Sequence, residues 1–285
     1  MKVLVTGVKG QLGHDVVNEL EKRGHTAVGV DIKEMDITDF ASVEKTLTAV
    51  SPEAVIHCAA WTAVDAAEDA ENQEKVHLVN AVGTENIAKM CKHLDIACMY
   101  ISTDYVFNGQ GTDSWKPDCK DYAPLNVYGQ SKWAGEQAIR THCPNHIIAR
   151  ISWLYGQGGP SFVHTMLRLS GGRRDCLHAV DDQRGNPTSA LAVARGLREI
   201  LLRPELVGTF HLTCEGEASW YEFACKIFEI AGNPQKVIPC TSDEYKTPAR
   251  RPANSCLEKK MLRLCGLPPM PHWENALKEL MRSNL

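Results

Sequence analysis

Tyr128 and Lys132 are the two residues whose types and spacing most clearly suggest chemistry. If the stretch beginning at Leu125 opens a helix, the two side chains share one face and the ammonium can lie beneath the phenol. A neighbouring cation favours the phenolate and so lowers the phenol pKa from its usual value of about 10. The pair therefore suggests a general acid or base, although two amphipathic residues on a surface helix produce the same spacing by chance.

The start of the chain has the pattern of a dinucleotide-binding turn. A short β-branched run, Lys2 to Thr6, ends at Gly7, and Gly10 and Gly13 follow before an amphipathic segment. Glycines let the backbone approach a pyrophosphate, and the N-terminus of the following helix supplies free N–H groups. A glycine turn without a ligand is the alternative, but the order of strand, turn and helix favours a cofactor site.

The second apolar run, from Thr26 to Val30, ends at Asp31, about 20 residues beyond the glycines. An acid at this place can bind the adenosine ribose hydroxyls, which favours NADH as the cofactor. Lys33 lies close by and could attract a 2′-phosphate, so NADPH stays open.

Two further apolar runs should end at the same edge of the sheet. The run from Ala54 to Ala60 has small residues at its carboxyl end, which leave room for a cofactor under the segment beginning at Trp61. The run from Ala97 to Ile101 brings Thr103 to that edge, where open α/β folds bind ligands. Its hydroxyl can hydrogen-bond a substrate oxygen, although a turn-forming threonine is an equally good interpretation of this segment alone.

The alternation of strands and helices predicts an α/β fold of the Rossmann type. We expect a doubly wound parallel sheet of about seven strands and a smaller C-terminal α/β lobe that binds substrate. The expected dinucleotide-binding domain spans 1–155, the substrate-binding lobe spans 156–285, and 190–212 returns to the first domain.

Composition excludes several other classes of protein. The 285 residues are 44% hydrophobic and 23% charged with a formal net charge of −4, which gives no electrostatic footprint for nucleic acid. No run of about 18 apolar residues predicts a membrane span, and the chain begins directly with an apolar strand, so we expect a cytoplasmic protein. The cysteines are scattered without a Cys-x-x-Cys motif and predict free thiols without a metal site.

Taken together, the motifs resemble the extended short-chain dehydrogenase/reductase superfamily and, within it, the family of dTDP-4-dehydrorhamnose reductases. The likeness covers nearly the whole chain. It is carried by Thr6-Gly7-x-x-Gly10-Gln11-Leu12-Gly13, Ser102-Thr103-Asp104-Tyr105-Val106-Phe107, Tyr128-x-x-x-Lys132, Asp182-Gln183-x-Gly185-x-Pro187-Thr188 and Arg251-Pro252-x-Asn254-Ser255.

The resemblance implies reduction of the C4 ketone of dTDP-4-dehydro-L-rhamnose by hydride from NADPH or NADH. Tyr128 would protonate the developing alkoxide, and Thr103 would hydrogen-bond the same oxygen. Lys132 would hold the nicotinamide ribose and lower the pKa of Tyr128.

The resemblance also implies which residues surround each ligand. Cofactor contacts would come from Gly7, Gly10, Gln11, Leu12, Gly13, Asp31, Asp36, Ile37, Ala60, Trp61, Thr62, Tyr128 and Lys132. Substrate contacts would come from Thr103, Asp104, Tyr128, Trp153 and Arg251, the last as a clamp on the diphosphate that Arg250 could also provide.

One alternative activity is disfavoured by the sequence, and two alternatives stay open. Nucleotide-sugar dehydratases of the superfamily carry a Glu after the Asp that Asp104 matches, and Tyr105 stands there instead, which disfavours elimination of water. A non-catalytic regulatory subunit like that of methionine adenosyltransferase, or a reductase of another nucleotide 4-ketosugar, would share the motifs.

The oligomeric state is also open. Some members of the family bind Mg²⁺ at a dimer contact through acidic residues. Asp15 stands where a Glu is expected, and no clear acidic pair follows it in the second half of the chain. Mg²⁺ is therefore not supported by clear ligands, and we expect a monomer or weak homodimer.

Overall fold

The computed structural model describes residues 1–172 and 175–283. Its strands are β1 (Lys2–Thr6), β2 (Thr26–Val30), β3 (Ala54–His57), β4 (Ala97–Thr103), β5 (His146–Ile151), β6 (Leu154–Tyr155), β7 (Cys176–Val180), β8 (Arg184–Gly185), β9 (Thr188–Ser189), β10 (Gly208–His211), β11 (Ala218–Ser219), β12 (Lys236–Cys240) and β13 (Asn254–Ser255). Its α-helices are α1 (Gln11–Lys22), α2 (Phe40–Val50), α3 (Ala70–His77), α4 (Gly83–His93), α5 (Val127–His142), α6 (Phe162–Ser170), α7 (Ala190–Leu201), α8 (Trp220–Ala231), α9 (Lys260–Leu264) and α10 (Trp273–Arg282).

Within the described residues, the central sheet has six parallel strands in the order β10-β5-β4-β3-β1-β2. The Rossmann-type fold class is therefore confirmed, whereas the expected number of about seven strands is one too high. The chain leaves the sheet after β5, because β6 pairs with β9 and β7 pairs with β12. The chain then returns, and β10 pairs with β5 at the edge of the sheet. The division into domains at residue 155 stays a prediction.

Alternate residues of the strands point into two apolar layers. Val3 and Val5 pack with buried residues of α1, α7, α8 and α10. Leu4 packs on the other face with buried residues of α2, α4 and α5. The sheet is covered on both sides, so its carboxyl edge is where a ligand can reach polar groups.

The helix that carries Tyr128 starts at a well-defined cap. Asn126 precedes α5, and its side-chain Oδ1 accepts a 2.7 Å hydrogen bond from Gly129 N. Glu68 Oε1 accepts a second one, of 2.8 Å, from Val127 N. These bonds satisfy backbone donors that the first turn would otherwise leave unpaired, and they fix where Tyr128 enters the helix.

A membrane span is not found in the part of the chain that the structure describes, since none of its helices combines the necessary length and apolar character.

Candidate functional site

A cleft of about 830 Å³ lies over the carboxyl ends of the central strands. Every expected cofactor residue lines it, as do four of the five expected substrate residues. The lining residues among those predictions are Gly7, Gly10, Gln11, Leu12, Gly13, Asp31, Asp36, Ile37, Ala60, Trp61, Thr62, Thr103, Asp104, Tyr128, Lys132 and Trp153.

The glycine turn fits a dinucleotide because side chains are excluded from it. Gly7 has φ 68°, and a Cβ there would lie 2.7 Å from the backbone of Ala59. A Cβ at Gly13 would lie 2.3 Å from the Gly7 carbonyl oxygen. Helix α1 follows Gly10 and has no side-chain cap, so its first N–H groups are available to a pyrophosphate.

We expect Gly13→Ala to abolish binding of a reduced nicotinamide dinucleotide, because its methyl group would collide with backbone that cannot move aside. Gly10→Ala is the matched comparison, since its Cβ would lie 3.3 Å from the same Gly7 carbonyl oxygen. Fluorescence titration of both variants should show the larger loss of affinity for Gly13→Ala. Equal affinities in the two variants would contradict this account of the turn.

Asp31 lines the cleft, and backbone N–H groups hold its carboxylate in place. Its Oδ1 accepts from Ile32 N at 2.9 Å and its Oδ2 from Lys9 N at 3.2 Å. Each oxygen has a further lone pair, so the carboxylate can still accept from ribose hydroxyls. Asp36 Oδ1 accepts from both the N–H and the hydroxyl of Thr38, at 2.9 and 2.7 Å, and so shapes the neighbouring loop.

Asn80 connects Trp61, which lines the cleft, to α5, and no motif in the sequence marks it as a site residue. Its Nδ2 donates to Trp61 O at 3.1 Å and to Ser131 Oγ at 2.9 Å, while its Oδ1 accepts from Trp61 N at 2.8 Å. Asn80 lies in a π-helical turn, Leu78–Val82, between α3 and α4. An isolated Asn gives no sequence signal for such a turn.

Tyr128 and Thr103 meet at the centre of the cleft. Burial, followed by the Asp104 carboxylate, raises the pKa of Tyr128 above its usual value, and hydrogen bonding with Thr103 opposes the shift. The expectation that Lys132 lowers this pKa is wrong for this structure. The Lys132 ammonium lies over the Tyr100 ring, 4.1 Å from its centroid, and burial is the largest cause of the raised pKa of Tyr128.

Two ionisable groups in the cleft have pKa values moved towards neutrality. Burial lowers the pKa of Lys132 to about 7, against the opposing charge of Glu136. Burial raises the pKa of Asp104 to about 7, against stabilisation of its anion by Ser255 and Thr103. Thr103 Oγ1 donates to Asp104 Oδ1 at 3.0 Å, whereas the nearby Ser255 hydroxyl makes no well-formed hydrogen bond with the buried Asp104 Oδ2.

Trp153 borders the cleft in a strained backbone conformation, with φ 48°. Its ring stacks on that of Trp220, with centroids 3.6 Å apart and planes at 9°. A Cβ on Gly185 would come within 2.5 Å of the Trp153 ring, so the glycine makes room for it. Trp220 also lines the cleft and was missed in the sequence, because only the fold brings α8 beside Trp153.

Arg251 does not line this cleft. Its guanidinium makes a two-pronged ion pair with Asp65, at 2.9 and 2.8 Å, and also donates to Ala249 O at 3.1 Å. The side chain is 22% exposed. A role on the diphosphate therefore stays a prediction and requires the guanidinium to leave or share the Asp65 carboxylate.

No group of three or more His, Cys, Asp or Glu side chains is arranged to hold a metal ion within residues 1–172 and 175–283. Burial raises the pKa of Asp15, and His14 Nδ1 lies 3.1 Å from its Oδ1. The expected monomer or weak homodimer stays a prediction.

Proteins similar to this chain in sequence and in structure are named as reductases of nucleotide sugars. The dTDP-4-dehydrorhamnose reductase of Mycolicibacterium smegmatis is 36% identical, over 98% of this chain and 84% of that protein. The dTDP-4-keto-6-deoxy-D-glucose reductase of Streptomyces niveus is also 36% identical, over 97% of this chain and 95% of that protein. The crystal structure of a dTDP-4-dehydrorhamnose reductase from Bacillus anthracis, in complex with NADP, superposes with a TM-score of 0.95 at 36% identity and covers 99% of both chains.

The family model described as RmlD substrate binding domain matches residues 1–285. The resemblance seen in the motifs is thereby confirmed, and the chain belongs to this family of Rossmann-type reductases.

Proposed function

We propose that this protein reduces the C4 ketone of dTDP-4-dehydro-L-rhamnose to dTDP-L-rhamnose with NADPH or NADH. The observation that carries the proposal is the convergence of Thr103, Tyr128 and Lys132 in one cleft with the glycine turn. Relatives named as reductases, 36% identical over most of the chain, support an enzyme rather than a regulatory subunit. The NADP complex of the Bacillus anthracis protein supports the nicotinamide cofactor.

The residues of the cleft fit this cofactor from end to end. The glycine turn and the uncapped start of α1 would hold the pyrophosphate, and Asp31 would accept from the adenosine ribose. Lys132 would hold the hydroxyls of the nicotinamide ribose. When bound, the reduced nicotinamide would supply the hydride. Side chains of this protein would donate the proton and orient the sugar.

Tyr128 would donate its phenolic proton to the sugar C4 oxygen as negative charge develops there. Its raised pKa keeps the phenol protonated over the whole neutral range, so the donor is always loaded. A high pKa also makes it a weak acid, and the hydroxyl of Thr103 would stabilise the phenolate that remains. The proton therefore passes to a strong base, the alkoxide, for which a weak acid suffices.

Asp104 and Trp153 would orient the sugar. The unpartnered Asp104 Oδ2 is a hydrogen-bonding atom that a sugar hydroxyl can satisfy. Trp153 is fixed by Trp220 on one face and lies against Gly185, so it presents a rigid aromatic surface to the cleft.

A second candidate substrate is dTDP-4-keto-6-deoxy-D-glucose, because the Streptomyces niveus relative is named as its reductase. The test is a turnover screen of several nucleotide 4-ketosugars with NADPH and with NADH. Turnover is measured as the loss of absorbance of the reduced nicotinamide. The proposal expects the highest kcat/KM for dTDP-4-dehydro-L-rhamnose. Tight cofactor binding without turnover of any 4-ketosugar would overturn it in favour of a binding protein.

A further inference from the structure

Glu136 lies on the same buried face of α5 as Tyr128 and Lys132, at successive intervals of four residues. Its side chain is 0% exposed, although carboxylates rarely leave water without compensation. Residues four apart on a helix have Cβ atoms about 5 to 6 Å apart, so this carboxylate is the next side chain below Lys132. The proposed reaction gives this buried acid no role, so its presence needs another explanation.

Four hydrogen bonds satisfy both oxygens of Glu136. Oε1 accepts from Ser102 Oγ at 2.6 Å and from Arg150 Nε at 2.8 Å. Oε2 accepts from an Arg150 terminal nitrogen at 2.7 Å and from Arg140 at 3.3 Å. Although burial alone would raise the pKa of Glu136, Arg150 and Ser102 bring it below its usual range, so the group is an anion at neutral pH.

These bonds join the elements that carry the reacting groups. Ser102 directly precedes Thr103 at the end of β4, and Glu136 is on the helix of Tyr128. Arg150, from β5, is 0% exposed and also donates to Tyr122 Oη at 3.1 Å. The bidentate Glu136–Arg150 pair thus holds α5 against β5, and the hydrogen bond from Ser102 adds β4.

Glu136 is also the one charged group of opposite sign that acts on Lys132 among the described residues. Three other titratable side chains lie against or act on Lys132, and each is neutral near pH 7 because burial opposes its charged form: His57, Cys58 and Tyr100. The Lys132 ammonium therefore depends on one carboxylate for its charge.

We propose that Glu136 is a positioning residue for the reaction, which holds α5 against the end of β4 and keeps Lys132 charged beneath the nicotinamide ribose. The role of Lys132 rests on the proposed function, so the deciding measurement is cofactor binding, which needs no sugar substrate. If the protein bound NADPH but reduced no sugar, the proposed function would fail while this inference could still be tested.

The experiment is the affinity for NADPH as a function of pH, measured by fluorescence for the wild type, for Glu136→Gln and for the double variant Glu136→Gln/Arg150→Met. We expect the pH at which affinity falls to half to move down by about one unit in both variants, because Lys132 loses its proton more easily. Replacing both members of a buried ion pair by uncharged residues is often tolerated, so the double variant keeps the test decisive if the single one does not fold.

Two further variants separate charge from geometry. Arg140→Ala removes the half-exposed partner of Glu136 and should leave the binding profile unchanged. Ser102→Ala removes a 2.6 Å hydrogen bond without changing a charge, and should lower kcat severalfold with the NADPH profile unshifted. A wild-type pH profile in a folded Glu136→Gln or in the double variant would overturn the proposal.

Discussion

Tyr128→Phe should lower turnover of the 4-ketosugar by about a hundredfold to ten-thousandfold, the usual contribution of a general acid. The phenylalanine ring fills the same space beside Tyr105, whose ring centroid lies 5.9 Å from that of Tyr128. Only the proton donor is lost, so the affinity for NADPH should stay close to that of the wild type. Steady-state turnover and a fluorescence titration of NADPH measure the two effects separately.

Tyr105→Phe is the matched control, because it removes a second buried phenol from the same cleft. Hydrogen bonding with Thr103 lowers the pKa of Tyr128, whereas Thr103 is not among the groups that shift the pKa of Tyr105. Turnover should therefore remain within a few fold of the wild type. Undiminished turnover in Tyr128→Phe, or an equal loss in both variants, would contradict the assignment of the donor.

Much of this fold follows from local sequence patterns. Strands β1 and β2 have the bounds of the apolar runs seen in the sequence, Lys2–Thr6 and Thr26–Val30. The glycine turn was predictable because Gly7 and Gly13 occupy places where any Cβ meets backbone. Such constraints act over a few residues, so a single sequence contains them.

The parts that were missed depend on distant segments. Trp220 lines the cleft and Asn80 supports its Trp61 wall, both from elements far from the motif of Tyr128, and no spacing in the sequence joins them. The pairing of Arg251 with Asp65 likewise arises between two remote loops. A sequence shows which groups can be charged, but their partners and burial come from the fold.

The error about the pKa of Tyr128 has the same origin. The four-residue spacing of Tyr128 and Lys132 is correct, but spacing does not show how deeply both groups lie. Lys132 is 3% exposed, and burial brings its own pKa to about 7. Burial thus disfavours the charged form of the lysine, which was expected to act as a fixed cation.

Lys132→Met should therefore abolish turnover and, at the same time, raise the free energy of unfolding. The methionine fills the space under the Tyr100 ring without the cost of burying an ammonium. In the unfolded chain the pKa of Lys132 is near 10.5, and in the folded chain it is about 7. Between these values the unfolded state binds more protons, so this group makes the wild type more stable as pH rises.

The gain in stability from Lys132→Met must consequently depend on pH. Below about pH 7 the full cost of the buried ammonium is present in the wild type, and the gain should reach the order of a few kcal/mol. It should shrink as pH rises towards 10.5, where lysine is neutral in both states of the chain. Urea unfolding at several pH values measures this difference.

Lys92→Met is the control, because Lys92 is exposed on α4 and lies outside the cleft. It should change the free energy of unfolding by no more than about 0.5 kcal/mol and leave turnover intact. If Lys132→Met were less stable than the wild type below pH 7, the ammonium would be held by interactions stronger than its burial, and the low pKa assigned to it would be wrong. If it were more stable and inactive, the protein would be shown to retain a destabilising charge at the place where its proposed chemistry needs one.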